Sequence, residues 1–177
     1  TRDSSIALTP RWSPDRKLIT FVSYRDGAPS LHSFVLASGR RWPMVVLPGT
    51  TMSPAWSPSG SQLAFSSSQT GGPALYLSDA DGKHQRRLTF AIGADLSPSW
   101  SPNGGQMVFN SDRGGSPQVY LMNADGSDQR RLTFEGTYNT TPAFSPKGGW
   151  IAYTCLIETQ YQICLISPDG GRRVQLT

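Results

Sequence analysis

Two histidines, two cysteines, a recurring Asp-Gly and recurring arginine pairs are the side chains of this 177-residue chain whose types could do chemistry. Hydrolysis by an activated serine needs a nucleophile on a Gly-x-Ser-x-Gly elbow with a histidine base in reach. No such elbow exists: Gly114-Gly115-Ser116 runs on into Pro117-Gln118. His32 shares a repeat column with Tyr76 and Tyr120 and reads as a packed or strand-capping ring, while His84 follows a hairpin and reads as solvated. A hydrolase built within this chain is therefore not expected. Asp79-Ala80-Asp81-Gly82 looks like the opening of a calcium loop, but the positions that need glycine and a bidentate glutamate hold His84 and Phe90. A hairpin turn accounts for it better. No cofactor and no metal centre is expected, a channel cation beside Asp95 or Asn139 being the alternative left open.

Cys155 and Cys164 fall on adjacent strands. If their hairpin turns at Thr159-Gln160 they stand directly opposite, and a disulfide is geometrically open to them. Their columns otherwise hold Ser23, Ser67 and Ser111, and His32, Tyr76 and Tyr120, so two separately packed thiols are the reading adopted. Lys plus Arg exceed Asp plus Glu by 16 to 12, a net charge of +4. The arginine pairs Arg86-Arg87 and Arg130-Arg131 recur once per repeat, which spreads charge around a rim and leaves no basic groove. With no aromatic stacking platform beside them, nucleic acid is not an expected partner.

The elements that must position these residues follow from an internal repeat. Trp12-Ser13-Pro14 returns as Trp56-Ser57-Pro58, Trp100-Ser101-Pro102 and Phe144-Ser145-Pro146, 44 residues apart each time. Pro10, Pro54, Pro98 and Pro142 keep the same interval, as do Leu88-Thr89, Leu132-Thr133 and Leu176-Thr177, and Asp81-Gly82, Asp125-Gly126 and Asp169-Gly170. The repeats lie at approximately 1–45, 46–89, 90–133 and 134–177 of a single domain spanning 1–177. Each reads as four short strands: one around Pro-x-Trp, one alternating apolar and polar as in Leu63-Ala64-Phe65-Ser66, one such as Leu75-Tyr76-Leu77-Ser78, and one carrying Arg-Arg-Leu-Thr. The first repeat lacks the Asp-Gly turn, so its outer hairpin is expected to be remodelled. Gly (18) and Pro (14) are abundant and no stretch shows the 3.6-residue apolar period, which argues against a helical bundle. Four-stranded units of this length are the blades of an all-β propeller, here four antiparallel blades. Trp12, Trp56, Trp100 and Phe144, with Phe21, Phe65, Phe109 and Tyr153, supply the bulk between blades.

No apolar run approaches the roughly 20 residues that cross a bilayer, so a soluble chain without membrane insertion is expected. The opening Thr1-Arg2-Asp3-Ser4 carries no basic-then-apolar leader, so any export signal is expected to have been removed or never to have existed.

The segments Ser97-Pro98-Ser99-Trp100-Ser101-Pro102-Asn103-Gly104, Gln118-Val119-Tyr120-Leu121-Met122-Asn123-Ala124-Asp125-Gly126 and Phe134-Glu135-Gly136-Thr137-Tyr138-Asn139 resemble the C-terminal propeller of the TolB family. The resemblance implies a non-enzymatic, periplasmic, protein-binding scaffold of the Tol–Pal system, which supports outer-membrane integrity and division. It implies a Pal-like peptidoglycan-associated lipoprotein as partner, bound at one mouth of the channel. Propellers of that family have six blades, and closing four needs about 90° between neighbours instead of about 60°. A fragment, or a homo-oligomer that completes the ring by association, is therefore expected. The auxiliary propeller of a prolyl-oligopeptidase-type peptidase and a fragment made only to assemble are the alternatives.

A propeller is a scaffold, so function must lie where the repeats differ. The segments entering the first strands differ: Asp3-Ser4-Ser5-Ile6, Thr50-Thr51-Met52, Ala94-Asp95-Leu96 and Tyr138-Asn139-Thr140. They are expected to gather at one mouth and form the partner-binding site, made of Thr50, Thr51, Met52, Ser53, Asp95, Leu96, Tyr138, Asn139 and Thr140. Thr50, Ser53 and Leu96 are the positions that the resemblance itself carries over.

Overall fold

The computed structural model describes residues 5–177, and every regular element among them is a β-strand. Blade one holds β1 (Ala7–Trp12), β2 (Leu18–Ser23), β3 (Ser30–Val35) and β4 (Arg41–Val45). Blade two holds β5 (Thr51–Trp56), β6 (Gln62–Ser67), β7 (Ala74–Asp79) and β8 (Arg86–Arg87). Blade three holds β9 (Asp95–Trp100), β10 (Gln106–Ser111), β11 (Gln118–Asn123) and β12 (Arg130–Arg131). Blade four holds β13 (Asn139–Phe144), β14 (Ile151–Ile157), β15 (Gln160–Ile166) and β16 (Arg173–Gln175). Within each blade the strands pair antiparallel in sequence order. β1, β5, β9 and β13 lie innermost, and the sheets form an arc that does not close.

The repeated residues earn their places through hydrogen bonds. The serine after each Trp or Phe closes the first turn: the hydroxyls of Ser13, Ser57, Ser101 and Ser145 accept the N–H groups of Leu18, Gln62, Gln106 and Trp150 at 3.0, 3.0, 2.9 and 3.2 Å. The threonine of Leu-Thr ends the outer strand, its hydroxyl taking over an acceptor place in the ladder. Thr89, Thr133 and Thr177 Oγ1 accept Leu75, Val119 and Ile163 N–H at 2.9 Å each. Asp81 accepts the Lys83 N–H at 3.0 Å, which with the Lys83 ammonium holds its carboxyl below the usual carboxylate range. β4 is five residues long against two in β8 and β12, so the first blade's outer hairpin does differ from the others.

Blades stack with one chemistry. Blade two offers a small and aliphatic face (Ala55, Ala64, Leu75, Leu77, Leu88), and blade three covers it with Trp100, Met107, Phe109, Tyr120 and Met122. Trp100 fits because its indole N–H donates to the Ala55 carbonyl at 3.0 Å. Phe109 and Tyr120 are cross-strand partners stacked at 5.7 Å, and Phe65 and Tyr76 repeat the pair at 5.9 Å. Trp12 holds the column of Trp100 but is covered by no blade among the described residues and is 57% exposed.

Blade four departs from the expectation of two separate thiols: Cys155 and Cys164 form a disulfide, with Cα atoms 5.9 Å apart. The hairpin turns at Glu158-Thr159, so Cys164 faces Tyr153 and Cys155 faces Gln162. The bridge thus runs diagonally to a neighbour two positions along. It is possible because Cys164 stands where blades two and three carry Tyr76 and Tyr120, leaving that space without a ring.

Two stability outcomes follow. Trp100→Ala should cost about 3–5 kcal/mol, whereas Trp12→Ala should cost less than about 1 kcal/mol in the monomer. Equal losses in chemical denaturation would refute the stacking account. Replacing both cysteines by alanine should cost about 2–3 kcal/mol, the loop-closure contribution of a bridge between residues nine apart. An unchanged denaturation midpoint would show that the bridge stabilises nothing.

Candidate functional site

The innermost strands all start at the same end of the arc, and the segments that feed them form its mouth. These segments are held by their own blades. Ser68 Oγ accepts the Thr50 N–H at 2.9 Å, and Asp112 Oδ1 accepts the Ala94 N–H at 2.6 Å. The first residue of each strand is then tied to the preceding blade, with Thr51, Asp95 and Asn139 N–H donating to the carbonyls of Pro29, Pro73 and Pro117 at 2.8, 2.9 and 2.9 Å.

That tie decides which expected site residues reach the surface. Thr51, Asp95 and Asn139 are buried, and Thr140 is nearly so. Asp95 takes both its oxygens to Arg113 Nη2 at 2.9 Å, and Arg113 lies over the Tyr120 ring at 4.9 Å. Asn139 donates to Gln118 Oε1 and the Glu135 carbonyl, both at 2.9 Å. The Asn139 side chain therefore ties blade four to blade three, while the Asp95 carboxylate is held within blade three by Arg113, and neither faces outward. Thr50 is exposed; Met52, Leu96 and Tyr138 are half-buried at the mouth, with Tyr138 edge-on to Tyr161 at 5.5 Å. Ser53 lies deeper, in the channel. Of the first loop, Asp3 and Ser4 lie outside the described residues.

The sequence reading passed over the most exposed apolar residues near this mouth. Phe90, Ile92 and Phe134 are 73%, 96% and 72% exposed, and Val46 occupies the same column in blade one at 61%. Arg87 and Arg131 lie over the Phe90 and Phe134 rings at 5.1 Å each, which holds the rings without covering them. The signal was present in Leu88-Thr89-Phe90 and Leu132-Thr133-Phe134, where a phenylalanine follows the strand-ending threonine.

Below the mouth the channel widens into a cavity of about 580 Å³, walled by the later halves of the innermost strands. Its repeated feature is a bulge in each strand, at Thr9, Ser53, Ser97 and Thr141. All four carry hydroxyls, all have φ between 48° and 55°, and each precedes a proline. A left-handed backbone costs a residue with a side chain roughly 1–2 kcal/mol, so a fourfold repetition is a maintained feature. Proline and bulge together remove the regular donor row from strands that would otherwise be bare sheet edges inside the channel. Arg11 also lines this cavity.

Neither histidine joins a catalytic arrangement. His32 is buried, with Nε2 3.2 Å from Ser30 Oγ and 3.5 Å from the Asp26 carboxylate. His84 is exposed beside Asp79 at 2.6 Å. Among the described residues no three His, Cys, Asp or Glu side chains stand close enough to hold a metal ion, and no helix is long and apolar enough to cross a membrane.

Comparison with known proteins agrees with this architecture. The crystal structure of TolB from Acinetobacter baumannii superposes with a TM-score of 0.89 at 31% identity, over 98% of this chain and 44% of that one. A putative TolB from Agrobacterium tumefaciens gives 0.88 at 23% identity, over 99% and 68%. The Tol-Pal system protein TolB of Paramagnetospirillum magneticum is 43% identical over 51 residues, 29% of this chain and 11% of that protein. Puromycin hydrolase shares the fold alone, with a TM-score of 0.80 at 15% identity over 98% of this chain and 29% of that one. The chain thus spans less than half of the Acinetobacter protein. The TolB beta propeller domain family (PD40) matches residues 1–177, the whole of the sequence, and the chain belongs to that family.

Proposed function

We propose that this chain is a non-catalytic recognition scaffold of the periplasmic Tol–Pal system, binding the folded domain of a Pal-like lipoprotein at the channel mouth. The observation that carries the reading is the set of exposed apolar side chains, Val46, Phe90, Ile92 and Phe134, held on hydrogen-bonded segments around a rigid arc. Isolated exposed apolar residues are ordinary; several on one rim are what a protein interface uses. Thr50, Met52, Leu96 and Tyr138 complete the contact surface, with Ser53 below them. Thr51, Asp95, Asn139 and Thr140 fix the segments that present it. Prearranged segments spare the complex part of its ordering cost. The alternative, an auxiliary propeller of a serine peptidase, draws on a likeness to puromycin hydrolase that extends to fold alone.

A pull-down with the soluble domain of a Pal-like lipoprotein tests this. Leu96→Arg should weaken capture at least about tenfold, since a buried unpaired charge at an interface costs more than the 1.4 kcal/mol that a factor of ten represents. Unchanged capture removes Leu96 from the interface, and no capture by the unaltered chain refutes the reading.

A second reading concerns the ends of the arc. Blade one exposes Leu8 and Trp12, while blade four exposes Ile163, Val174 and Leu176. The residues in the columns of Trp12, Ile163 and Leu176 are Trp100, Leu75 and Leu88, all buried between blades two and three. The two ends therefore carry the two halves of the interface that the chain uses internally. We propose that they are covered by association, with copies of this chain as the occupant. Light scattering should show mass rising from micromolar to millimolar concentration, and Trp12→Arg should abolish the rise. A strict monomer throughout would refute it.

A further inference from the structure

The channel cavity below the mouth breaks its own repeat at one place. The column after each bulge proline holds Arg11, Ala55, Ser99 and Ala143. In blade two this residue is packed against blade three: Ala55 is 9% exposed and sits in the core beside Trp100. An arginine cannot enter that space. Arg11 is instead exposed and lines the cavity, and among the described residues its guanidinium donates only to the neighbouring Pro10 carbonyl, from Nη1 at 3.1 Å. Among the described residues that line the cavity it is the one ionisable side chain, and none of them is a carboxylate.

The rest of the wall is neutral and suited to a chain. Thr141 Oγ1 pairs with Thr154 Oγ1 at 2.9 Å, whereas Ser53 and Ser97 have hydroxyls without a hydrogen bond among the described residues. The prolines and the indoles of Trp12, Trp56 and Trp100 supply flat apolar surface between them. About 580 Å³ falls within the range of a bound organic ligand and far exceeds an ion's need. The bulges and prolines also block strand addition along the walls, so an occupant must be held by side chains.

We propose that this cavity binds an extended peptide segment through its carboxylate, with the Arg11 guanidinium as the charge partner and the Ser53 and Ser97 hydroxyls as hydrogen-bonding partners. A guanidinium presents parallel N–H groups that match a carboxylate, and such bonds are stronger than neutral ones. The site does not depend on the mouth reading. Arg11 lies four positions along its strand from the column of Thr51, on the order of 10 Å deeper at the usual rise per residue.

The experiment titrates the whole chain with N-acetyl-trialanine as the free acid, following tryptophan fluorescence and heat, beside the same peptide as its C-terminal amide. A third peptide, amidated but carrying one glutamate, separates a terminal from a side-chain carboxylate. Saturable binding of at least one acid form, with the trialanine amide weaker by about tenfold or more, is the expected result. Arg11→Ala should lose that preference, Arg11→Lys should keep part of it, and Arg40→Ala, a charge control on the same blade, should keep all of it. Thermal melts should leave Arg11→Ala as stable as the unaltered chain, because the side chain is exposed. Leu96→Arg should bind the peptide normally, so that failure at the mouth and failure in the cavity are told apart. Equal binding of acid and trialanine amide, or Arg11→Ala binding within twofold of the unaltered chain, overturns the proposal.

Discussion

Everything in this structure depends on a sheet of four short strands being unable to bury both of its faces alone. Each blade presents small and aliphatic residues on one face and aromatic ones on the other, so that only a neighbour of the same kind completes the packing. Ala55, Leu75 and Leu88 meet Trp100, Phe109 and Tyr120 across one such junction, and the indole N–H of Trp100 reaches the one carbonyl that closes the contact. Buried aromatic area of this sort supplies most of the stacking energy. The same asymmetry makes the arc directional: Trp12 is exposed at one end and Ile163, Val174 and Leu176 at the other.

Polar residues do a second job at these junctions. A backbone N–H at the head of β5, β9 and β13 donates to a proline carbonyl of the preceding blade, so that both groups are paired at the junction. Asn139 pairs with Gln118 across the junction of blades three and four, and Asp95 pairs with Arg113 inside blade three, so that these buried polar groups are satisfied. Removing one member of such a set leaves the other desolvated and unpaired, which is why these residues belong to the stacking and not to the surface.

Much of this was legible because a 44-residue period repeats each structural role four times. The blades, their strand number and the part played by Trp100 follow from the columns. Thr51, Asp95 and Asn139 were not legible as inter-blade ties, because variation between repeats looks alike whether a residue faces a partner or an adjacent blade. The disulfide was hidden by its columns: serines and rings fill these positions in the other repeats and suggested separately packed thiols, whereas the two cysteines meet on a diagonal of a hairpin that closes at Glu158-Thr159. Phe90 and Phe134 were in plain sight within the repeat, and only their exposure distinguishes them from the core aromatics. The hydroxyl before each proline was likewise regular, but a positive φ before proline is not something a sequence pattern announces.

In a repeated fold, regular positions answer to packing, and a departure survives only where packing does not need the usual residue. Cys164 is such a departure, exchanging a ring for a covalent bond in the last blade. Arg11 is another, and its setting differs. The cost of an arginine in a column of Ala55, Ser99 and Ala143 is avoided only because the channel offers it space, and that space is already lined by hydroxyls on bulged backbone. The bulges keep four strand edges from pairing with each other or with a stray strand, and by turning the backbone they also bring Ser53 and Ser97 into the cavity wall. Edge protection and ligand recognition thus draw on the same local geometry. A single charged substitution in one repeat is enough to give a neutral channel a sign.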